Sequence, residues 1–483
     1  MINGRIICKI LGILVLVETL MLLCSLAVSW HYKEDDFTAF LVTTVITLVV
    51  AFAFWLIGRR AETHFNKRDG IVIVSISWIV VSIMGMLPFY LSGYIPDITN
   101  AFFEAMSGFT STGSTILDNI EDLPHGLLFW RSITQWIGGL GIVFFTIAVL
   151  PIFGVGGVQL FAAEASGLTY DKVHPRIGVT AKWIWSIYLG LTIIVGLLLW
   201  AGGMNTFDSI CHSFTTASTG GFSTKQASIE YYNSPFIEYV ICFFMTFFGV
   251  NFTLLLLITK GKFKKFFQDT EFKWYLISIV SFTAIITLGL YWTTEMGVEQ
   301  SFRKAFFQVT SIHTSTGFAT TDYMTWQPAL WGLLLVVMVV GGCAGSTSGG
   351  LKCIRMVILT KISQNEFKKI IHPNTVLPVR LNKQVAPSSI ISSALAFIFV
   401  YLVIIIVSCL VMMALGVEFT ESVGTVVSSI GNMGPGLGLT GPAFSWNALP
   451  DAAKWLSSFL MLVGRLELFT VLILFTRGFW KRS

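Results

Sequence analysis

The tripeptide Ser-Thr-Gly occurs three times in this chain, at Ser111–Gly113, Ser218–Gly220 and Ser315–Gly317. A degenerate fourth copy stands at Asn432-Met433-Gly434. The four glycines are 107, 97 and 117 residues apart. Backbone carbonyls turned toward one axis can replace the water shell of an ion. Turning successive carbonyls inward needs backbone angles that side chains disfavour and glycine permits. One such ring needs four loops, and four repeats in one polypeptide provide them. Serine and threonine add hydroxyls that hold the loop backbone or meet the ion. No Lys, Arg, Asp or Glu lies within three residues of any of the four glycines. A ring of charged side chains is therefore not the design. Carbonyl chemistry for a monovalent cation is.

Each loop must be positioned from both sides by helices. A half-length segment precedes each one, at 99–110, 206–217, 302–314 and 419–430. These are too short to cross a bilayer and too apolar to be surface loops. A helix that enters and returns fits them, provided protein or water shields its irregular end from lipid. Each would aim its C-terminal end at the axis, where its partial negative charge favours a cation. Longer apolar stretches at 8–30, 37–58, 70–94, 131–153, 182–202, 234–259, 272–294, 326–344, 388–415 and 453–476 read as ten spans of about 20 residues each. The fold class is all-α integral membrane, with two extra helices (1–69) before four helix–loop–helix repeats at 70–155, 180–260, 270–365 and 385–483. Composition agrees: of 483 residues 54% are hydrophobic and 12% charged, against about 25% charged in a soluble domain. The seven cysteines have no CxxC spacing, so neither a disulfide framework nor a zinc site is expected. The apolar run from Ile10 to Val28 lacks a small-x-small cleavage site and reads as a retained first helix.

Charge sets the orientation. With both termini in the cytoplasm, 24 of the 31 Lys and Arg fall on the inner side and six on the outer, the ordinary positive-inside bias. Seventeen acids fall outside and seven inside, a net of −11 outside and +17 inside. The outer excess would concentrate cations at a mouth, an effect that salt screens.

The loop sequences Ala105–Gly113, Ser213–Phe222, His313–Phe318 and Gly431–Gly436 resemble the four P-loops of the Trk/Ktr/HKT superfamily of potassium transporters. The two additional N-terminal spans and the overall length resemble its TrkH-type members, and the resemblance covers essentially the whole chain. It implies a potassium-selective filter formed by Ser111, Thr112, Gly113, Ser218, Thr219, Gly220, Ser315, Thr316, Gly317, Asn432, Met433 and Gly434. It implies a homodimer in the bacterial inner membrane, among membrane lipids, with a cytoplasmic nucleotide-binding regulator of the TrkA type. Potassium would be the transported ion. No organic cofactor and no nucleic-acid partner are expected. The irregular fourth loop puts in question an even contribution of hydroxyls around the ring.

Below the filter, Gly341–Gly350 interrupts the second span of the third repeat. Glycine at this density weakens a helix by up to about 1 kcal/mol per residue. A Walker A reading fails, since Leu351 separates Gly350 from Lys352 and Cys353 stands where Ser or Thr would. The residues alone leave open a simple packing bend. The resemblance implies an intramembrane loop that obstructs the pore, with Gly345, Ser346, Thr347, Gly349, Gly350 and Lys352 as gate residues. Arg465 lies in an apolar run, where a charge costs about 2.5–3.5 kcal/mol and faces protein interior or water. It either pairs with an acid such as Glu467, although residues two apart do not face each other on a helix, or it faces the pore and opposes cations. The resemblance favours the second. Glu18 has no visible partner and reads as a structural acid. His212 and His313 have no third ligand spaced for a metal and read as packing or hydrogen-bonding groups. The basic run Lys260–Lys265 fits a topology signal, a regulator or anionic lipid.

These features lead to potassium uptake by gated, channel-like flow, with symport coupled to protons or sodium as the alternative. A membrane enzyme built on His313 or Ser346 lacks a third catalytic member, so the chain is not expected to be an enzyme.

Overall fold

A computed structural model of the chain describes residues 2–61, 66–141 and 177–481. The expected span 131–153 and the expected inner segment 154–182 run into residues outside this description. Two long helices, Gly4–Tyr32 and Phe37–Gly58, lead the chain. They pack tightly: a Cβ on Gly58 would stand 2.6 Å from the Lys9 Cα. The Thr19 hydroxyl donates to the Thr47 hydroxyl at 3.0 Å across the interface. Repeat 1 follows with Lys67–Gly85 continued by Leu87–Leu91, the short helix Ile98–Phe109 and the second helix His125–Leu140. Repeat 2 holds Ile177–Ala201, Thr206–Ala217 and Pro235–Phe248. Repeat 3 holds Thr270–Thr293, Val298–His313 and Pro328–Val340. Repeat 4 holds Ser388–Ala414, Phe419–Gly431 and Asp451–Arg465.

The local sequence explains these starts. Asp97, Asn205 and Asp269 each accept a backbone N–H in the first turn of the helix they precede, supplying a partner that the helix lacks. Pro235 and Pro328 open the second helices of repeats 2 and 3, where a missing N–H costs nothing.

Six described helices are long and apolar enough to cross a bilayer, and two bent pairs raise this to eight. Of the remaining expected spans, Pro328–Val340 has 13 residues, about 20 Å at 1.5 Å per residue. That falls short of a hydrocarbon core of about 30 Å. Outward faces of the long helices carry exposed Val49, Phe52, Leu197, Val280, Phe399 and Ile406, a surface suited to lipid tails. The C-terminal halves of the short helices are buried inside.

Two expected spans, 234–259 and 453–476, are not continuous. Pro235–Phe248 and Phe252–Thr259 meet at 102°, and Asp451–Arg465 and Phe469–Phe475 meet at 109°. In the first, Asn251 accepts from the Thr253 N–H at 2.8 Å and starts a new helix. In the second, Glu467 and Leu468 both take positive φ, 53° and 47°, a conformation rare for residues with a Cβ. Helices in repeats 1 and 3 stop at a comparable place, at Gly141 and Gly341, with φ of 84° and 68°. The second helix of every repeat thus ends or bends near this level, not only at Gly341.

Candidate functional site: a ring of four re-entrant loops

Each short helix ends in the same hydrogen-bonded turn. In repeat 1 the Thr112 N–H donates to the Ser107 carbonyl at 2.9 Å. Its counterparts are Gly220 to Thr215 at 2.9 Å, Thr316 to Ser311 at 2.8 Å and Met433 to Ser428 at 3.0 Å. The residue before each donor has positive φ: Ser111 53°, Thr219 50°, Ser315 52° and Asn432 49°. The residue after it is a positive-φ glycine: Gly113 86°, Gly221 78°, Gly317 83° and Gly434 101°.

These angles set a register that differs from the tripeptide match in repeat 2. The structural counterpart of Gly113 is Gly221, not Gly220. Gly220 stands where the other loops hold Thr112, Thr316 and Met433, and Ser218 is the cap that follows the helix. The cause is local: the helix stops at Ala217 and the turn begins one residue later than the string Ser-Thr-Gly suggests.

The four loops close on one another. A Cβ added to Gly113 would run into the Gly220 carbonyl oxygen, and one on Gly221 into that of Thr316. A Cβ on Gly317 would meet the Met433 oxygen, and one on Gly434 would stand 2.9 Å from the Thr112 oxygen. Loop 1 abuts loop 2, loop 2 abuts loop 3, loop 3 abuts loop 4, and loop 4 returns to loop 1. The carbonyl layer in contact comes from one equivalent position in all four. One side of the ring opens into a cavity lined by Gly113, Gly221, Gly317 and Gly434 together with Phe222 and Trp446.

Hydroxyls brace the loops unevenly. The Thr110 and Thr112 hydroxyls lie 2.8 Å apart, and those of Thr314 and Thr316 2.7 Å apart. Loops 2 and 4 have no such pair, since Gly220 and Met433 replace the second threonine. In loop 4 the Asn432 side chain donates to the Thr112 hydroxyl at 3.0 Å and to the Met461 carbonyl at 2.8 Å. Hydroxyls thus do not contribute evenly.

Just outside the ring, a buried ion pair ties loop 1 to loop 2. Arg131 Nε donates to Glu104 Oε1 at 2.9 Å, and its Nη1 donates to the Ser223 carbonyl at 3.0 Å. Glu104 also accepts the Ile116 N–H at 3.1 Å, and Arg131 lies 4.2 Å over the Phe222 ring. Neither residue stood out in the sequence, where both counted only as outer charges. Removing one partner of a buried pair leaves an uncompensated charge and costs about 3–5 kcal/mol. Arg131→Met should therefore lower the melting temperature of the detergent-solubilised protein sharply, and Glu104→Gln with Arg131→Met should recover part of it. An unchanged melting temperature in the single variant would refute the brace.

Beneath the ring, residues 341–352 form an irregular loop inside the protein. Thr347 Oγ1 lies 3.1 Å from the Thr219 hydroxyl of loop 2, and the Gly349 N–H donates to Ser315 Oγ of loop 3 at 2.5 Å. A Cβ on Gly349 would strike the Gly431 carbonyl of repeat 4. Gly345 and Gly350 take φ of 72° and 77°. The Ser346 hydroxyl donates to the Cys343 carbonyl at 2.6 Å, and Lys352 is buried with Nζ donating to the Ser348 carbonyl. Glu271 fastens both ends, accepting the Ala344 N–H at 2.7 Å and the Ile354 N–H at 3.1 Å. Nothing in the spacing around Glu271 points to that role beyond an acid at the edge of a span.

Arg465 reaches this loop from repeat 4. Its guanidinium donates to the Thr347 carbonyl at 2.9 Å, to the Gly139 carbonyl at 2.5 Å and to the Gly138 carbonyl. It is not the partner of Glu467, which pairs with Arg355 at 2.6 Å. His212 and His313 bond to Ser223 and Ser278 at 3.0 and 2.9 Å. Among the described residues, no group of His, Cys, Asp and Glu is arranged to hold a metal. Glu18 is buried on the first helix, and neither of its oxygens has a hydrogen-bond partner among the described residues.

Apolar outer faces, four helix–loop–helix repeats and one closed ring of loops define a polytopic, all-α membrane protein. The chain belongs to the TrkH family, described as cation transport protein, whose pattern matches residues 37–481. It is 39% identical over 482 residues to the Trk system potassium uptake protein TrkH of Escherichia coli K12, covering 99% of both chains. It is 34% identical to the potassium uptake protein TrkG of the same organism, again over 99% of both. The crystal structure of the potassium transporter TrkH from Vibrio parahaemolyticus superposes with a TM-score of 0.89 at 35% identity, over 99% of this chain and 100% of that one.

Proposed function

We propose that this chain takes up potassium across a bacterial inner membrane, through the ring of four loops, by gated channel-like flow. The observation that carries the reading is the cyclic contact of Gly113, Gly221, Gly317 and Gly434, each against a carbonyl of the next loop. Dehydrated potassium would exchange water for these carbonyls. The C-terminal ends of the four short helices add partial negative charge. An inside-negative potential supplies about 2.3 kcal/mol per charge per 100 mV. The loop 341–352 and Arg465 would close the path from the cytoplasmic side, and both termini would be cytoplasmic. Channel-like flow is favoured because two of the buried outer acids are neutralised by cations, Glu104 by Arg131 and Glu238 by Arg303 at 2.8 Å, while Asp36 and Asp208 each accept from a hydroxyl, of Ser29 and of Thr224. The deciding experiment is potassium flux into proteoliposomes, with sodium and proton gradients varied separately. Flux that follows the potassium gradient alone supports the reading. Flux that requires either other gradient makes the chain a symporter.

The same reading carries a homodimer with a TrkA-type nucleotide-binding regulator on its cytoplasmic face. Because one chain closes one ring, the dimer should conduct through two independent pores. Mixed dimers of wild-type and filter-disabled chains should retain half the wild-type flux with unaltered selectivity. A complete loss of flux in the mixed dimer would place the pore at the dimer axis instead.

A further inference from the structure

Gln135 lies on the second helix of repeat 1 and is fully buried. Its amide stands between loops 1 and 2. Nε2 donates to the Gly220 carbonyl at 2.8 Å, and Oε1 accepts the Phe222 N–H at 3.0 Å. The second bond fixes the orientation of the amide, since only its oxygen can accept.

Gly220 is the odd member of its set. Its counterparts Thr112, Thr316 and Met433 carry side chains, and a Cβ at Gly220 would lie 2.5 Å from both Cδ and Oε1 of Gln135. The amide thus fills the space that a side chain takes up in the other repeats. Among the described residues, no donor reaches the carbonyls of Thr112, Thr316 or Met433. Among the described residues, the Gly220 carbonyl alone in that layer is held by a side chain. A carbonyl oxygen has two lone pairs, so this bond leaves one for the axis while fixing the direction of the group. It also restrains a Gly-Gly peptide that would otherwise be the freest backbone in the ring.

We propose that Gln135 is a positioning residue for ion discrimination, its amide standing in for the side chain absent at Gly220 and holding that carbonyl on the ring. The proposal rests on the reading of the ring as the filter. The test compares potassium and sodium flux in proteoliposomes for Gln135→Leu, Gly220→Thr, and the exchange of Gly220→Thr with Gln135→Ala, with Gly317→Ser as a reference. Gln135→Leu should lower the potassium-to-sodium ratio about tenfold, the scale of a lost buried hydrogen bond. Gly220→Thr alone should lose the ratio or fail to accumulate, because threonine collides with the amide. The exchange should restore accumulation and recover part of the ratio, an interaction expected of touching residues. An altered ratio separates positioning from mere stability, which would change abundance only. If Gly317→Ser loses the ratio while Gln135→Leu keeps it, the role of Gln135 is overturned and the filter stands. An exchange no better than Gly220→Thr alone overturns it equally, including where Gln135→Leu does not accumulate. If Gly317→Ser also keeps the ratio, the filter reading falls and the proposal with it.

Discussion

Arg465→Ala should raise basal potassium flux about tenfold or more, a barrier change of about 1.4 kcal/mol, with no cytoplasmic regulator present. The guanidinium bonds to the Thr347, Gly138 and Gly139 carbonyls, and so bridges repeat 1 and the loop beneath the ring. Two effects add when it is removed. A fixed positive charge leaves the path, and unit charges 4 Å apart repel by about 4 kcal/mol at an effective dielectric of 20. The loop 341–352 also loses an anchor. Arg465→Lys separates the two, because lysine keeps the charge and loses the planar fork. Low flux in the lysine variant would assign the barrier to charge, and high flux in both to anchoring. Glu467 keeps its partner in this variant, since it is held by Arg355. If folded Arg465→Ala conducts no more than wild type, Arg465 is a structural charge and the gate assignment fails.

The second large effect concerns Gly221. Serine there would be forced into a positive-φ conformation, and its Cβ would collide with the Thr316 carbonyl of the next loop. Neither contact can yield without moving the ring. Gly221→Ser should therefore lower the potassium-to-sodium flux ratio by about tenfold or more, equivalent to 1.4 kcal/mol of discrimination. Gly113→Ser and Gly317→Ser should do the same for the same reason. Gly220→Ser should act by a different route, since its φ is not positive and its Cβ meets the Gln135 amide and not a carbonyl of the next loop. Adding Gln135→Ala should therefore relieve Gly220→Ser and leave Gly221→Ser unrelieved, and relief of both or of neither would contradict the register. Unchanged selectivity in all the positive-φ glycine variants would remove the filter assignment.

The short helices were legible because composition and length together admit little else: 206–217 and Thr206–Ala217 coincide. The register of loop 2 was not legible, because a shared tripeptide does not report where the preceding helix ends. The bend at Leu466–Leu468 contains no glycine or proline, and Gly464 before it still lies within the helix. It depends on long-range partners, Arg355 for Glu467 and the loop carbonyls for Arg465. Glu271 and Glu104 read as ordinary charges, since a hydrogen bond to a distant backbone leaves no trace in spacing. Gln135 had one overlooked signal, a polar amide within an apolar segment at membrane depth.

Closing the ring within one chain removes a dependence that assembled pores carry. A pore built from separate subunits exists only to the extent that they associate, and its population follows mass action. Here the step that brings loop 4 back to loop 1 is unimolecular, so dilution in the membrane leaves the pathway whole. Each position also occurs once, not four times. A single codon change perturbs one quarter of the ring and leaves three quarters to hold the geometry, so loop 2 was free to trade a side chain for the amide of Gln135.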